Sequence, residues 1–294
     1  MPLLGALLLA GDAASGQVVL LPAIDPRIAA MLLLFAGGML SGLLAGLLGI
    51  GGALVTIPLL HLTLSSLGVD AVAVPATAVA TALIAMVPMT LMAAWRQHCR
   101  GAIDTGWFCR MAVPIAFGAV VGALLAAALN GPVLALMFAL QSCWYGARLL
   151  LDRCNVDAQV NRCGLWQRFA GLPPWLAAPP MAAFCACVGV GGGSLVTPFL
   201  LRQRVPFRHA AATAGALNLC IALGGSLAFV FSGSSSSGAG ACVPAAVLLA
   251  GAAMLSVGFG VSLAHRVQTV ALQRLIGLVN VVSAATILVQ VTLH

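Results

Sequence analysis

The sequence predicts an all-α polytopic membrane protein made of two homologous, inverted repeats, and three observations carry that reading. The chain of 294 residues is 62% hydrophobic and only 6% charged, with a mean hydropathy of +1.12. Its apolar residues fall into about eight long runs, and the second half repeats the first. A soluble domain carries about a quarter charged residues, so the composition excludes a water-soluble enzyme, a disordered chain and an ordinary nucleic-acid binder. At about 20 residues per crossing the length leaves almost nothing outside the bilayer.

Residues 1–27 form an N-terminal leader with a short apolar run, Leu3 to Ala10, and no basic stretch ahead of it, which leaves its cleavage open. Apolar runs bounded by Arg or by Gly/Pro/Ser clusters then lie near 28–60, 72–95, 111–129 and 132–151, and again near 173–201, 209–231, 242–264 and 271–292. The polar stretch "DRCNVDAQVNRCGLWQR" within 152–172 is a cytoplasmic linker between a first membrane repeat, 28–151, and a second, 173–294.

A slide of 140 residues lays "AGLLGIGGALVTIPLL" (45–60) on "CACVGVGGGSLVTPFL" (185–200). It matches Gly49 with Gly189, Gly51 with Gly191, Gly52 with Gly192 and Pro58 with Pro198. With a loop four residues shorter in the second half, "PATAVATAL" (75–83) meets "AATAGALNL" (211–219), pairing Thr77 with Thr213. Glycines, a proline and a threonine recurring in the same order indicate gene duplication.

All 13 basic residues are Arg and all six acidic residues are Asp, giving a net charge of +7. Arginines in the loops of a membrane protein mark its cytosolic face. If all eight segments crossed, the arginines would divide eight against five. If 28–60 and 173–201 each dip in and return, Arg96, Arg100, Arg110, Arg148, Arg153, Arg162, Arg168, Arg202, Arg204, Arg208, Arg266 and Arg274 share one face. Only Arg27 then lies opposite, the halves are inverted, and both termini lie outside the cytosol. Residues 28–48 would measure about 31 Å as a helix, so a full crossing by that arm stays open.

The runs "GIGG" and "GVGGGS" are helix breaks, tolerated in a bilayer only where they are buried in protein or line a wet cavity. Gly49, Gly51, Gly52, Gly189, Gly191, Gly192 and Gly193 allow positive φ and close backbone approach. A β-branched residue at Gly52 or Gly192 would be forced into a backbone that needs positive φ. Pro58 and Pro198 each leave an upstream carbonyl without its helical partner. A broken helix presents free N–H groups at the start of its second half, which is an anion site. Two breaks related by inverted symmetry would meet near the midplane, where secondary transporters bind their cargo. The competing reading, close helix packing through small residues, fits Gly38, Gly42 and Gly46.

Polar residues in the spans could complete such a site: Thr77, Gln141, Ser194, Thr213, Asn218 and Asn280, of which Gln141 and Asn280 occupy corresponding places. Each could equally be interhelical glue. His61 and His209 could carry a coupled proton or simply sit at the interface. Arg202, Arg204 and Arg208 could draw an anion to the cytosolic mouth, although they already serve as retention charges. No metal or cofactor is expected: the nine cysteines show no ligand spacing and read as small apolar side chains. Ser194 has no base placed to activate it, which argues against a hydrolase. The spans carry no carboxylate, which argues against a cation transporter.

At "GLLAGLLGIGGALVTIPLL" and "VGVGGGSLVTPFLL", each followed by a short loop and an Ala/Thr-rich span, the sequence resembles the TauE/SafE family, the sulfite exporter or four-toluene-sulfonate uptake permease family. The resemblance runs from about 28 to 292. It implies a carrier in the bacterial inner membrane for a sulfur-containing or organic anion such as sulfite, sulfoacetate or another sulfonate. It also implies an ion gradient, of protons or sodium, as driving force. A non-transporting assembly or accessory protein, or a carrier of another small solute, remains the alternative. One departure is Ala53 where the second copy has Gly193.

The arginine split predicts that 61–71 faces away from the cytosol and 201–208 faces it, although both follow the same motif. In a Cys-depleted background, an impermeant maleimide applied from outside should label a Cys at Ser65 and not one at Gln203; equal labelling would contradict the inverted arrangement.

Overall fold

The computed structural model describes residues 26–48, 52–67, 69, 73–151, 173–231, 242–264 and 269–293. The leader up to residue 25, Gly49, Gly51 and the 152–172 linker lie outside them. The described residues form ten helices and include no strand. In chain order they are α1 (Pro26–Leu48), α2 (Ala53–Ser66), α3 (Val74–Cys99), α4 (Thr105–Ala128), α5 (Gly131–Leu151), α6 (Pro174–Val188), α7 (Gly193–Arg202), α8 (Phe207–Phe231), α9 (Val243–Ala264) and α10 (Thr269–Leu293). Among the described residues five stretches are long and apolar enough to cross a membrane: Ile28–Leu47, Val74–Cys99, Thr105–Ala128, Arg208–Phe231 and Val243–Leu263. Large apolar side chains such as Trp95, Val113, Phe117, Val247 and Phe259 point outward, as lipid-facing residues do, while Ala, Gly and Thr crowd the interior. This is a multi-pass membrane protein.

The expected segments 28–60 and 173–201 each divide in two, as α1 with α2 and α6 with α7. Elsewhere the helices outrun the apolar runs. Thus α3 continues to Cys99 and α4 begins at Thr105, where Asp104 is the N-cap and accepts a hydrogen bond from the Trp107 N–H at 3.2 Å. Arg96 and Arg110, outside the expected apolar runs 72–95 and 111–129, are therefore helical, and Asp104 is a capping residue. The expected loop 61–71 is shortened in the same way, because α2 runs on to Ser66.

Hydrogen bonds between the halves fix the direction of each helix. The Asp104 N–H donates to the Thr213 hydroxyl at 3.0 Å, and the Cys242 N–H, just ahead of α9, donates to the Thr81 hydroxyl at 2.9 Å. Arg100, following α3, donates to Val261 O (2.6 Å) and Ser262 Oγ (2.9 Å) near the end of α9. His209 Nδ1 donates to Ala102 O at 2.9 Å. The end of α3, the starts of α4 and α8 and the end of α9 therefore share one end of the bundle, and Arg96, Arg100, Arg110, Arg202, Arg204 and Arg208 gather there. The starts of α3 and α9 share the opposite end.

Glycines set the close packing. Gly38, Gly42 and Gly46 of α1 lie against the backbone of Leu249, Ala253 and Val257 of α9, a constant offset that makes the two helices parallel. Gly118 and Gly122 of α4 lie against Pro179 and Ala183 of α6 in the same way. In α5 and α10, Gly146 faces Asn280 and Leu150 faces Gly277, so these two helices are antiparallel. Each helix of the first half thus runs opposite to the helix in the same place in the second, and α4 and α9 each pack on helices of the other half. Without hydrophobic drive inside lipid, such contacts rest on backbone approach that a side chain would prevent.

At Gly122 an added Cβ would collide with the Ala183 carbonyl, a rigid backbone group. Gly122→Val should lower stability by about 1–3 kcal/mol, the usual cost of overpacking. Gly251→Val, where an added Cβ meets nothing within 4 Å, should leave the thermal midpoint within about 0.5 kcal/mol of wild type. Thermal unfolding of the detergent-purified variants checks both.

Candidate functional site: two opposed helix breaks

The first break joins α1 to α2. Gly37 faces Leu59 and Ser41 faces Thr56, so α2 doubles back along α1 toward the end of the bundle from which α1 started. At 23 residues α1 is about 34 Å long and α2, at 14 residues, about 21 Å, so the first arm is of crossing length and the second is not. Gly52 supplies the turn in the left-handed region, with φ 68°, as the N-cap of α2. Its carbonyl accepts from Val55 N (3.2 Å), Thr56 N (3.3 Å), Ser41 Oγ (3.0 Å) and Thr56 Oγ1 (3.2 Å).

Pro58 lies inside α2, and having no N–H it leaves the Leu54 carbonyl without a helical donor. Ser283, from α10, fills the gap with a 2.6 Å bond from its hydroxyl to Leu54 O. Neither Ser41, Thr56 nor Ser283 was a predicted site residue. Ser41 sits inside "GGMLSG", where the glycines read as packing, and Ser283 is 229 positions from its partner. The carbonyl orphaned by Pro58 was the one available sign that a donor had to come from somewhere.

The second break joins α6 to α7. Gly189, with φ 76°, is the C-cap of α6, and Gly192 is the N-cap of α7 with φ −61°. Positive φ therefore belongs to Gly52 and Gly189, and the expected strain at Gly192 is absent. What Gly192 lacks instead is room: an added Cβ would lie 2.6 Å from Ile221 Cδ1 and 3.1 Å from Asn218 Oδ1. Ser194 Oγ accepts from Gln141 Nε2 at 3.2 Å and reaches Gly191 O at 3.4 Å. Gln141, Ser194, Asn218, Gly191, Gly192 and Gly193 are thus brought together.

The other predicted residues lie apart from this cluster. The Thr213 hydroxyl is occupied by the Asp104 N–H, and its counterpart in role is Thr81, which receives Cys242 in the same manner. Met89 meets Gly52 and Ile221 meets Gly192 at the same spacing of 132 residues. The register of α3 against α8 is therefore 132, one helical turn from the 136 that pairs Thr77 with Thr213. Thr77 is buried with no hydrogen-bond partner for its hydroxyl among the described residues. Asn280 packs on Gly146, and His61 is buried within α2.

The two breaks meet. Gly189 lies against Ile57 of α2 and Val79 of α3, with 2.9 and 3.1 Å between those side chains and an added Cβ. Neither α2 nor α7 has a side-chain cap at its N-terminus, so the first N–H groups of each helix have no partner within it. Among the described residues none of the buried positions is an Arg or an Asp, and no group of His, Cys and Asp could hold a metal ion.

A polytopic helical protein with two opposed, glycine-broken hairpins is built like a carrier. Residues 34–287 match the family described as sulfite exporter TauE/SafE, and the chain belongs to that family of membrane transporters. It is similar to a "Probable membrane transporter protein" of Haemophilus influenzae, 25% identical over 204 residues, which cover 69% of this chain and 75% of that protein. No solved structure matches it.

Removing the Ser283 hydroxyl should leave Leu54 O buried and unpaired. Ser283→Ala should therefore cost about 1–3 kcal/mol, measured by denaturation of purified protein; an unchanged midpoint would mean that Leu54 O has another donor.

Proposed function

We propose that the protein is a secondary carrier of a sulfur-containing or organic anion, of the sulfite, sulfoacetate or sulfonate class, across the bacterial inner membrane. The anion is held where the breaks meet, by backbone N–H groups at the starts of α2 and α7. One observation carries this reading: two uncapped helix N-termini lie inside an apolar bundle whose described interior has no charged side chain. Fixed dipoles bind an anion there without the slow release that a buried ion pair would impose. The opposed directions of the two halves are what alternating access by inverted repeats requires.

Chemistry at the site is not part of the proposal. Among the described residues Ser194 contacts the Gln141 amide, the Gly191 carbonyl and the Cys185 thiol, and no His or Asp that would activate it for attack. A proton or sodium gradient is the proposed driving force.

Purified protein in liposomes should take up or release sulfite or sulfoacetate down an imposed gradient, and those anions should raise its melting temperature. Gly192→Val, which crowds Ile221 without backbone strain, should fold and lose at least about tenfold in flux, equivalent to about 1.4 kcal/mol of anion binding. Gly52→Val should instead fail to fold, since φ is 68° and its Cβ would lie 2.7 Å from Ser41 O. Wild-type flux in Gly192→Val would move the site elsewhere and return the glycine to packing.

A further inference from the structure

The two breaks do not use their polar groups alike. At the first, three hydroxyls are given to the backbone: Ser41 and Thr56 to Gly52 O, and Ser283 to Leu54 O. Met89 closes the Gly52 face, 3.2 Å from an added Cβ. That joint is saturated.

The second break is not. Gln141, 8% exposed, donates Nε2 to Ser194 Oγ at 3.2 Å, while its Oε1 has no hydrogen-bond partner among the described residues. A carboxamide carries a donor and an acceptor on a nearly symmetric fork, so either end can face Ser194. Turning the fork exchanges Nε2 for Oε1 at the same 3.2 Å separation, so that the serine hydroxyl donates to Oε1 in preference to its longer, 3.4 Å contact with Gly191 O. The amide NH2 is then the end left over, buried beside the uncapped start of α7. Leaving such a donor bare is costly, and an anion oxygen removes the cost.

The sequence shows the same imbalance. At the 140-residue spacing of the two motifs, Ser194 corresponds to Leu54. At the 132-residue spacing of α3 and α8, Asn218, which lies against Gly192, corresponds to Met86. The first break has no hydroxyl at the place of Ser194 and no amide at the place of Asn218, and Asn280, at the place of Gln141, packs on Gly146.

Resting on the carrier reading above, we propose that the two helix starts serve the anion unequally: the start of α2 offers only its backbone dipole, and side-chain recognition belongs to the second break alone. Gln141 is its specificity-determining side chain, donating its NH2 to one oxygen of a small sulfur oxyanion while the N–H groups of Gly193 and Ser194 hold another. Ser194 is a positioning residue that fixes the amide through Oε1. The first break is a rigid joint.

The test is thermal-shift titration of the detergent-purified full chain with sodium sulfite and, separately, sodium sulfoacetate. Gln141→Glu, isosteric and acidic, should raise the titration midpoint by tenfold or more, about one decade of affinity, and, as a buried unpaired acid, should also lower the ligand-free melting temperature. Gln141→Met, apolar and of similar length, decides the matter if the charged variant does not fold, and should raise the midpoint likewise. Ser194→Ala should weaken binding severalfold and Ser194→Thr should restore it, a rescue that a purely structural serine would not show. Ser41→Ala with Thr56→Ala should lower the melting temperature while leaving the midpoint of the remaining folded protein unchanged. Wild-type midpoints in both Gln141 variants, or a midpoint lost in the Ser41/Thr56 variant alone, would overturn the assignment while the carrier reading stands. Failure of either anion to stabilise or cross with the wild-type protein would overturn both.

Discussion

Inside a bilayer a backbone N–H or C=O that leaves its helical partner has no water to turn to, and this one constraint organises the molecule. The chain interrupts a helix at residues 48–53 and again at 188–193. Each interruption must be paid for by a specific side chain from another part of the fold. Ser41 reaches across from α1 to Gly52 O and Ser283 from α10 to Leu54 O, while at the second break Gln141 of α5 anchors the Ser194 hydroxyl. The two breaks are stable because the two halves interleave. A half alone would lack Ser283 for the first break and Gln141 for the second.

Interleaving in turn requires that helices approach closely. The glycines of α1 and α4 bring them against the backbones of α9 and α6, and the N–H groups ahead of α4 and α9 reach Thr213 and Thr81 across the divide. The same threonine sites therefore act as joints between halves at opposite ends of the bundle. At the arginine-bearing end, Arg100 adds a clasp on the last turn of α9, where free carbonyls and the negative end of a helix dipole favour a cation.

Much of this was legible in the sequence. The composition defined the solvent, the runs "GIGG" and "GVGGGS" located the interruptions, and Gly38, Gly42 and Gly46 read as packing. Pairings between distant segments were not legible. Nothing local marks Ser41, Thr56 or Ser283 as donors, because a lone hydroxyl in an apolar helix reads equally as a bond to its own turn. The register that pairs the threonines was ambiguous for a related reason. In an Ala/Thr-rich helix a shift of one turn preserves most matches, so 136 and 132 compete, and only the bonds to Asp104 and Cys242 separate them. Helix ends were shortened at 95 and 111 because arginine looks like a boundary, although its long side chain lets Arg96 lie along α9 beside Gly258.

The central claim is that uncapped backbone dipoles, rather than a buried cation, hold the cargo. The most direct measurement is an anomalous-scattering map of crystals grown with selenite, a heavier oxyanion of the same shape as sulfite. The account predicts a peak in the bundle interior whose oxygens lie about 3 Å from the N–H groups of Gly193 and Ser194. A peak confined to Arg202, Arg204 and Arg208, with none at the breaks, would contradict it.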